Sequence, residues 1–370
     1  MPILETKAAG SAQGFGGISA KASSGPVTYI EDVFSTYLYT GNGSTQTITN
    51  GIDLSGKGGL VWLKARSAAS DNSLYDTARG AQYTLYSNLT LANDYGGSPV
   101  LSAFTSSGFS LGSNGTQNGS GVTFASWTFR KQPKFFDVVT WTGDGTGTSR
   151  TLNHNLGSTP GFYVCKATST TGDWIVGVPS LGQNRWGLLN SNSNFGNNTT
   201  YWQAATSTTF GPQNTGGSNL LNVSGVSYVA YLFAHNAGGF GLSGTDNVVS
   251  CGSFSSQGQV TLGYEPQWVM IKSTTDTGSY TGDWRIFDNM RGVVEGDDNQ
   301  LFANSSRAED KVTFGTALTF NATGFNVEGQ GNYGSSTIYI AIRRGPMKVP
   351  TSGTSVFSPV TFTVSGGTGL

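Results

Sequence analysis

The chain has 370 residues, of which 11% are charged, and its formal net charge is −1. This length fits two or three domains, and a near-neutral chain without a clustered basic face argues against nucleic-acid binding. No apolar run is long enough to span a bilayer, so membrane insertion is not expected. The first residues lack the basic and apolar regions of a signal peptide, so we expect synthesis in a cytoplasm without secretory export.

The local sequence patterns are those of an all-β protein. Aromatic residues make up 12% of the chain, and most lie in Val- and Thr-rich runs bounded by Gly, Asn and Ser. Short runs of this kind are typical of strands, and no stretch shows a sustained helical period. Cys165 and Cys251 lie in predicted strands and are interpreted as buried thiols, because disulfides are rare in a reducing compartment.

In chain order, a Gly- and Ser-rich arm without periodicity comes first, and three similar parts follow. Each part opens on a strand run, at 34–39, 136–141 and 248–254. Gly-Asn-Gly follows the first run and Gly-Asp-Gly the second. Asn-Gly and Asp-Gly suit two-residue turns, so each opening is predicted to be a hairpin. A later run in each part ends in Lys64, Lys166 or Lys272, and closing runs occupy 124–129, 228–233 and 339–342.

A seven-residue segment returns along the chain. Residues 74–80 read Leu-Tyr-Asp-Thr-Ala-Arg-Gly and residues 286–292 read Ile-Phe-Asp-Asn-Met-Arg-Gly. The second part is interpreted as keeping only Arg and Gly, with Arg185 placed 106 residues from both Arg79 and Arg291. A period of this length exceeds those of propeller blades and solenoids and suits a self-contained sandwich.

The predicted fold is therefore all-β, with three tandem β-sandwich repeats of jelly-roll or lectin-like type and extended terminal arms. The predicted boundaries are an N-terminal docking arm at 1–32, repeats at 33–134, 135–246 and 247–345, and a C-terminal arm at 346–370.

The recurring polar residues are interpreted as structural markers of the repeat: Asp76, Arg79, Asp288 and Arg291. We expect each Asp to cap a turn and each Arg to bond backbone carbonyls or the same Asp. A glycosidase, which needs two acids beside the scissile bond, is the alternative. The acidic run 295–298 is interpreted either as a calcium-binding loop or as a solvated loop. The sequence predicts no catalytic residue and no cofactor.

Aromatic residues in polar loops are the better functional signal. Faces of this kind suit glycan stacking or protein contacts. The candidates for surface recognition are Trp186, Tyr201, Trp202, Tyr280 and Tyr333. Trp174 and Trp284 recur after Gly-Asp in two parts, which favours a packing role for them.

Three features together carry a resemblance to a known group of proteins: the strand that ends in Lys, the Leu-Tyr-Asp-x-x-Arg-Gly segment and the closing Tyr-Val-Ala-Tyr strand. Over residues 33–345 the chain resembles the repeated β-domain of virion structural and tail-fibre-like proteins of tailed phages, particularly marine ones. The leader at 9–16 is also similar to leaders of such proteins, and residues 184–187 depart from the pattern.

The resemblance implies a virion part without catalytic residues, made in the host cytoplasm and assembled on the phage particle. The leading interpretation is a tail fibre or appendage that takes part in host attachment. Its expected partners are other virion proteins through the N-terminal arm, further copies of itself, with a trimer favoured, and a glycan or protein of the host surface. A capsid decoration or cement protein is the second interpretation, and a polysaccharide-degrading tail enzyme the third.

Overall fold

The computed structural model describes residues 27–95, 100–147, 149–197, 201–213, 220–276, 282–293, 298–311, 317–328 and 336–348. Within these ranges the chain is nearly all β, in several antiparallel sheets. The described helices are the four-residue α1 (Gly115–Asn118) and the 3-10 turns Ile30–Asp32 and Pro179–Leu181. None of them is long and apolar enough to cross a membrane.

The strands fall into three groups, which we call unit 1 (34–130), unit 2 (136–234) and unit 3 (249–343). Unit 1 contains β1 (Phe34–Thr40), β2 (Gln46–Thr49), β3 (Gly59–Ala65), β4 (Ser73–Asp76), β5 (Tyr83–Tyr86), β6 (Asp94–Tyr95), β7 (Leu101–Thr105), β8 (Gly108–Leu111) and β9 (Thr123–Arg130). Unit 2 contains β10 (Phe136–Thr142), β11 (Leu152–Asn153), β12 (Pro160–Ala167), β13 (Trp174–Gly177), β14 (Arg185–Leu188), β15 (Gly196–Asn197), β16 (Thr209–Phe210) and β17 (Ser227–Ala234). Unit 3 contains β18 (Val249–Phe254), β19 (Gly258–Thr261), β20 (Pro266–Ser273), β21 (Arg285–Asp288), β22 (Asn299–Phe302), β23 (Asp310–Lys311), β24 (Leu318–Asn321), β25 (Gly324–Val327) and β26 (Thr337–Arg343).

Each unit contains a six-stranded sheet with the same strand order. The orders are β1-β9-β3-β4-β5-β6, β10-β17-β12-β13-β14-β15 and β18-β26-β20-β21-β22-β23. Smaller sheets accompany them, in the orders β2-β8-β7, β11-β16 and β19-β25-β24. The registers also match, because β3 pairs Trp62 with Trp127, β12 pairs Val164 with Tyr231, and β20 pairs Met270 with Ile340. These pairings define equivalent positions in the three units.

The predicted opening hairpins are wrong. β1 pairs with β9, whereas β2 pairs with β8 in the small sheet, so the Gly-Asn-Gly turn leads from one sheet to the other. Side chains from a distant loop hold this corner: the Asn118 carboxamide accepts from Asn42 N at 3.1 Å, and Asn222 accepts from Asp144 N in unit 2 at 3.1 Å. Turn chemistry fixes a change of direction, but it does not choose the sheet that the next strand joins.

The central strands of the large sheets are buried on both faces. In β3, Val61 and Leu63 share a core with Ile48 and Phe109 of the small sheet, which is two-layer sandwich packing. The alternate residues Leu60 and Trp62 belong to a different cluster, on the other face. Strands covered on both sides carry continuous apolar runs, as β3, β12 and β20 do.

The second face of each large sheet packs into one core that the three units share. Phe129 of unit 1 lies in its centre, with its ring centroid 5.5 Å from that of Phe233 in unit 2 and 6.0 Å from that of Trp268 in unit 3. Phe162 of unit 2 is 6.0 Å from Trp284 of unit 3. Aromatic pairs at these distances add to the stabilisation from buried area. The three sheets therefore form a single packed body.

The structure also describes the two cysteines and part of the predicted N-terminal arm. Cys165 and Cys251 are free and buried, as interpreted. Residues 27–32, the described part of the predicted N-terminal arm, are packed in the body and are not a free arm: Ile30 is fully buried, and Thr28 O accepts a hydrogen bond from Gly241 N at 3.0 Å.

The corner turns generate a prediction. A Cβ on Gly41 would lie 2.2 Å from Gly119 O, and one on Gly143 would lie 2.0 Å from Val223 O. We expect Gly41→Ala and Gly143→Ala each to lower the free energy of unfolding by about 1–3 kcal/mol, because the backbone must shift to make room. Urea unfolding of the full chain measures this. Gly147→Ala, where a Cβ meets no atom within 4 Å, is the matched control. Equal losses in all three variants would contradict the prediction.

Candidate functional site

The recurring Asp and Arg form a buried turn cap in two units. The Asp76 carboxylate accepts from the backbone N of Ala78 at 3.0 Å and of Arg79 at 2.9 Å, and it pairs with Arg79 Nε at 2.5 Å. Asp288 repeats the arrangement with Arg291, whose Nε lies 2.7 Å from Asp288 Oδ2. Arg79 and Arg291 also donate to the carbonyls of Leu74 and Ile286. These contacts are the structural role that the sequence predicted.

Each of these carboxylates also accepts a hydrogen bond from a neighbouring unit, which sequence reasoning missed. Tyr231 of unit 2 donates its hydroxyl to Asp76 Oδ2 at 2.7 Å, and Trp127 of unit 1 donates its indole N–H to Asp288 Oδ2 at 3.0 Å. Trp127 and Tyr231 occupy equivalent positions on β9 and β17. The marker segment is therefore a junction between units as well as a turn.

The second unit replaces this junction with apolar residues. By strand register, Val178 is the equivalent of Asp76. It directly follows Gly177, which pairs with Tyr163 of β12. Val178 is buried, Leu181 at the position of Arg79 packs against the same core, and the donor position in unit 3 is Ile340. The interpretation of Arg185 as the retained Arg is wrong. It begins β14, the equivalent of β5 and β22, so its spacing of 106 residues is coincidental.

A second set of junction contacts is cyclic. Trp174 of unit 2 donates its indole N–H to Tyr86 O of unit 1 at 2.8 Å, and Trp284 of unit 3 donates to Leu188 O of unit 2 at 2.7 Å. In unit 1 the equivalent position is Asn72, whose carboxamide donates to Phe302 O of unit 3 at 3.0 Å. The predicted packing role of the two tryptophans is confirmed, and both are buried.

Backbone hydrogen bonds follow the same cycle and close it. The pairs are Asn93 N to Thr168 O between units 1 and 2, Phe195 N to Thr274 O between units 2 and 3, and Glu309 N to Arg66 O between units 3 and 1. Arg66 also binds the Glu309 carboxylate with two nitrogens, at 2.9 and 2.8 Å. The units thus form a closed ring in which each contacts both others.

The candidate recognition residues form a row of aromatic rings in unit 2. Trp186 stacks on Tyr201 with ring centroids 5.3 Å apart, and Tyr201 meets Trp202 at 5.2 Å. The ring centroid of Trp202 lies 4.8 Å from that of Tyr163 on β12. Trp186 and Tyr201 are half-buried, but Trp202 is 1% exposed, so its expected place on the surface is wrong. Trp202 is buried because its segment folds back, with Trp202 N donating to Gln183 O.

A cavity of about 180 Å³ lies at the inner end of this row, which we call the aromatic row (Trp186, Tyr201, Trp202 and Tyr163). The residues that line it are Tyr163, Pro179, Gly182, Gln183, Trp202, Gln203, Ala204 and Ala205. Pro179 belongs to the 3-10 turn Pro179–Leu181, which stands where units 1 and 3 have the Asp–Arg turn.

The remaining predicted site residues contribute nothing to this geometry. Tyr280 and Tyr333 lie outside the described residues, as do residues 295–297 of the acidic run. Asp298 is fully buried and accepts from the backbone N of Ala317 and Leu318, so it acts as a structural cap and is turned away from solvent. The described ranges hold no group of three or more His, Cys, Asp or Glu side chains placed for a metal ion.

Comparison with known proteins gives one match. The family described as Domain of unknown function (DUF7483) matches residues 30–346. The chain belongs to this family. No curated protein and no solved structure matches the chain. The DUF7483 match begins in the 3-10 turn Ile30–Asp32 and ends next to the last described residues, so one DUF7483 domain comprises all three units. Because the ring contacts involve every unit, this extent agrees with the packing.

Three equivalent lysines of the DUF7483 domain are buried, and two of them contact a neighbouring unit. Lys64 donates to Ser306 O of unit 3 at 3.1 Å, and Lys166 donates to Thr90 O of unit 1 at 3.2 Å. Lys272 is the equivalent residue of unit 3. Burial lowers the pKa of each of these amines from the ordinary 10.5 to about 8, although nearby carboxylates partly oppose the shift.

These lysines predict a pH dependence of stability. Between pH 8 and 10.5 the unfolded chain keeps three protons that the folded ring has released, so the free energy of unfolding rises with pH in this window. Each lysine contributes about 1 kcal/mol between pH 7 and 9. Buried Cys165 and Cys251, whose pKa values are raised, oppose the rise at higher pH.

Urea unfolding at pH 7 and 9 isolates the contribution of one lysine. Lys166→Met should reduce the rise between the two pH values by about a third, whereas Lys57→Met changes an exposed lysine and should leave it unaltered. An undiminished rise in Lys166→Met would show that this amine does not carry the effect.

The junctions predict the effect of replacing the polar residues of one junction by the apolar residues of another. Asp76→Val alone leaves Arg79 and the Tyr231 hydroxyl without their carboxylate and should cost about 3–5 kcal/mol. Asp76→Val/Arg79→Leu/Tyr231→Ile copies the apolar junction of unit 2, and apolar replacement of a buried ion pair is often neutral. We therefore expect the triple variant to recover at least half of the loss in urea unfolding.

The Glu265–Arg344 pair at the surface provides the control. Glu265→Val should destabilise the chain far less than Asp76→Val, because surface pairs contribute little. A triple variant no more stable than Asp76→Val would show that the junctions are not interchangeable.

Proposed function

We propose that this chain is a structural part of a tailed-phage virion, a tail fibre or other appendage that takes part in attachment to the host surface. The proposal rests on the positions of two features in the ring of units: the terminal segments and the aromatic row. The first and last described segments meet beside units 1 and 3, where Glu31 binds the backbone of Met347, and the aromatic row lies in unit 2.

We also infer that the three units are tandem copies of one β-sandwich module of jelly-roll or lectin-like type. The shared strand order, the matching registers and the cyclic hydrogen bonds support this. A module whose large sheet is apolar on both faces cannot cover the second face alone, so three modules cover each other. A ring of this kind is a stiff body suited to an extracellular particle.

The proposed anchoring side is where the first and last described segments meet. The Glu31 carboxylate accepts from the backbone N of Met347 and Lys348 at 3.1 and 2.9 Å, and Lys348 Nζ lies 2.7 Å from Asp32 Oδ1. The two ends of the described chain therefore lie close together, and we propose that residues 1–26 and 349–370 bind another virion protein. The expected homotrimer stays a prediction, and a ring of three similar units can also occupy a threefold axis as a single chain.

A capsid decoration or cement protein remains the second candidate, because two arms that leave one junction suit the lacing of neighbouring subunits. The third expectation, a polysaccharide-degrading enzyme, loses its candidate acids. Asp76 and Asp288 are fully buried and each is paired with an arginine, so neither can reach a glycosidic bond. The enzyme is not part of the proposal.

Labelled-antibody electron microscopy of particles that carry the protein tests its place. We expect label at the tail or its appendages, and label spread over the head would overturn the proposal in favour of the cement protein.

Removal of residues 1–26 tests the anchor. It leaves the packed residues from Thr28 onward intact, so the chain should fold and melt as the full chain does but be lost from particles. Removal of 349–370 is the matched truncation at the other end, and normal incorporation of the 1–26 deletion would contradict the anchoring role of that arm.

A further inference from the structure

The cavity in unit 2 has aromatic and polar walls but no charge. Among the described residues that line it, none is charged, so the cavity favours a neutral ligand. Tyr163 and Trp202 supply aromatic walls set at 84° to each other. Gln183 and Gln203 supply carboxamides. A ligand that fits must therefore offer both an apolar face and hydrogen-bonding groups.

Hydrogen bonds orient part of the polar wall of the cavity. Gln203 accepts from the Thr151 hydroxyl at 3.0 Å and donates to Pro212 O at 3.3 Å, which fixes its orientation and leaves it one further donor and acceptor. Tyr163 is 1% exposed, and its ring forms one wall of the cavity. The buried indole N–H of Trp202, which also lines the cavity, has no hydrogen-bond partner among the described residues. Buried polar groups without partners are uncommon, and each calls for an explanation.

The size of the cavity limits the ligand to one ring. An apolar cavity of about 150 Å³ takes a single benzene molecule, so 180 Å³ accommodates one six-membered ring. A benzene-like ring would offer no hydrogen bond to Gln183, to the remaining donor and acceptor of Gln203 or to the Tyr163 hydroxyl, which costs binding energy. A pyranose has the apolar face and the hydroxyls that these walls require.

We propose that the cavity beside Trp202 binds one neutral pyranose unit of a glycan, with adjoining sugar units stacked along Tyr201 and Trp186. This deepens the proposed attachment role, since the glycan would be the host-surface contact. The second unit alone has the 3-10 turn Pro179–Leu181 beside this cavity, so the site is specific to unit 2.

Saturation-transfer difference NMR on the purified full chain tests this binding. The probes are the methyl glycosides of glucose, galactose, mannose and N-acetylglucosamine, with glucuronate and phenylalaninamide as comparisons. We expect transfer to at least one neutral glycoside and none to glucuronate. Absence of transfer to all four glycosides, or transfer to phenylalaninamide alone, would overturn the proposal.

Two variants locate the binding. Ala205→Leu fills the cavity and should reduce transfer at least tenfold, and Tyr163→Phe removes only the hydroxyl and should reduce it about threefold. Tyr37→Phe makes the same change in unit 1 and should have no effect. If Ala205→Leu fails to fold, Tyr163→Phe alone tests where the sugar binds. Undiminished transfer in Tyr163→Phe would then place the sugar elsewhere and overturn the proposal.

The two proposals can fail separately. The NMR experiment needs no particle, and the microscopy needs no sugar. Glycoside binding by a protein found over the head would refute attachment but keep the cavity. A protein found on the appendage that binds no glycoside would refute the cavity alone.

Discussion

The burial of both faces of the three large sheets is the constraint on which the rest of the structure depends. One face of the unit 1 sheet is covered by its own small sheet, in the core around Val61 and Phe109. The other face, with Trp127 and Phe129, is apolar and packs into the core that it shares with units 2 and 3. Burial of apolar area is the main favourable term in folding, so the sheets must cover one another. Three sheets around one core achieve this, and the ring closes because the last sheet also needs a partner.

The junctions show how such a ring tolerates divergence. Where a buried carboxylate is present, as at Asp76 or Asp288, the next unit supplies a donor, Tyr231 or Trp127. Where the acid is replaced by Val178, the facing position is the apolar Ile340. A buried charge without a partner is costly, so the members of a junction must change together. The three junctions are alternative solutions of one packing problem.

Unit 2 carries both the divergence and the candidate site, and the two are connected. Replacement of the Asp–Arg turn by Pro179–Leu181 makes the junction apolar, and the same turn places Pro179 against the cavity. The unit thereby keeps its place in the ring although it lacks the Asp–Arg turn. Units 1 and 3, which hold the Asp–Arg turns and the Arg66–Glu309 closure, preserve the frame. The candidate site therefore lies where the units differ.

The sequence by itself determined the local elements and their repetition. The runs that end in Lys64, Lys166 and Lys272 are strands, the Asp–Arg segment is a turn cap, and the recurring Trp174 and Trp284 are core residues, since periodicity and capping depend on neighbours in the chain. Only the tertiary structure decided the partners. It placed β2 in a different sheet from β1, buried Trp202, assigned Val178 rather than Arg185 to the junction, and joined Tyr231 to Asp76 across 155 positions. Such choices depend on which surfaces meet, and a single sequence does not encode that locally.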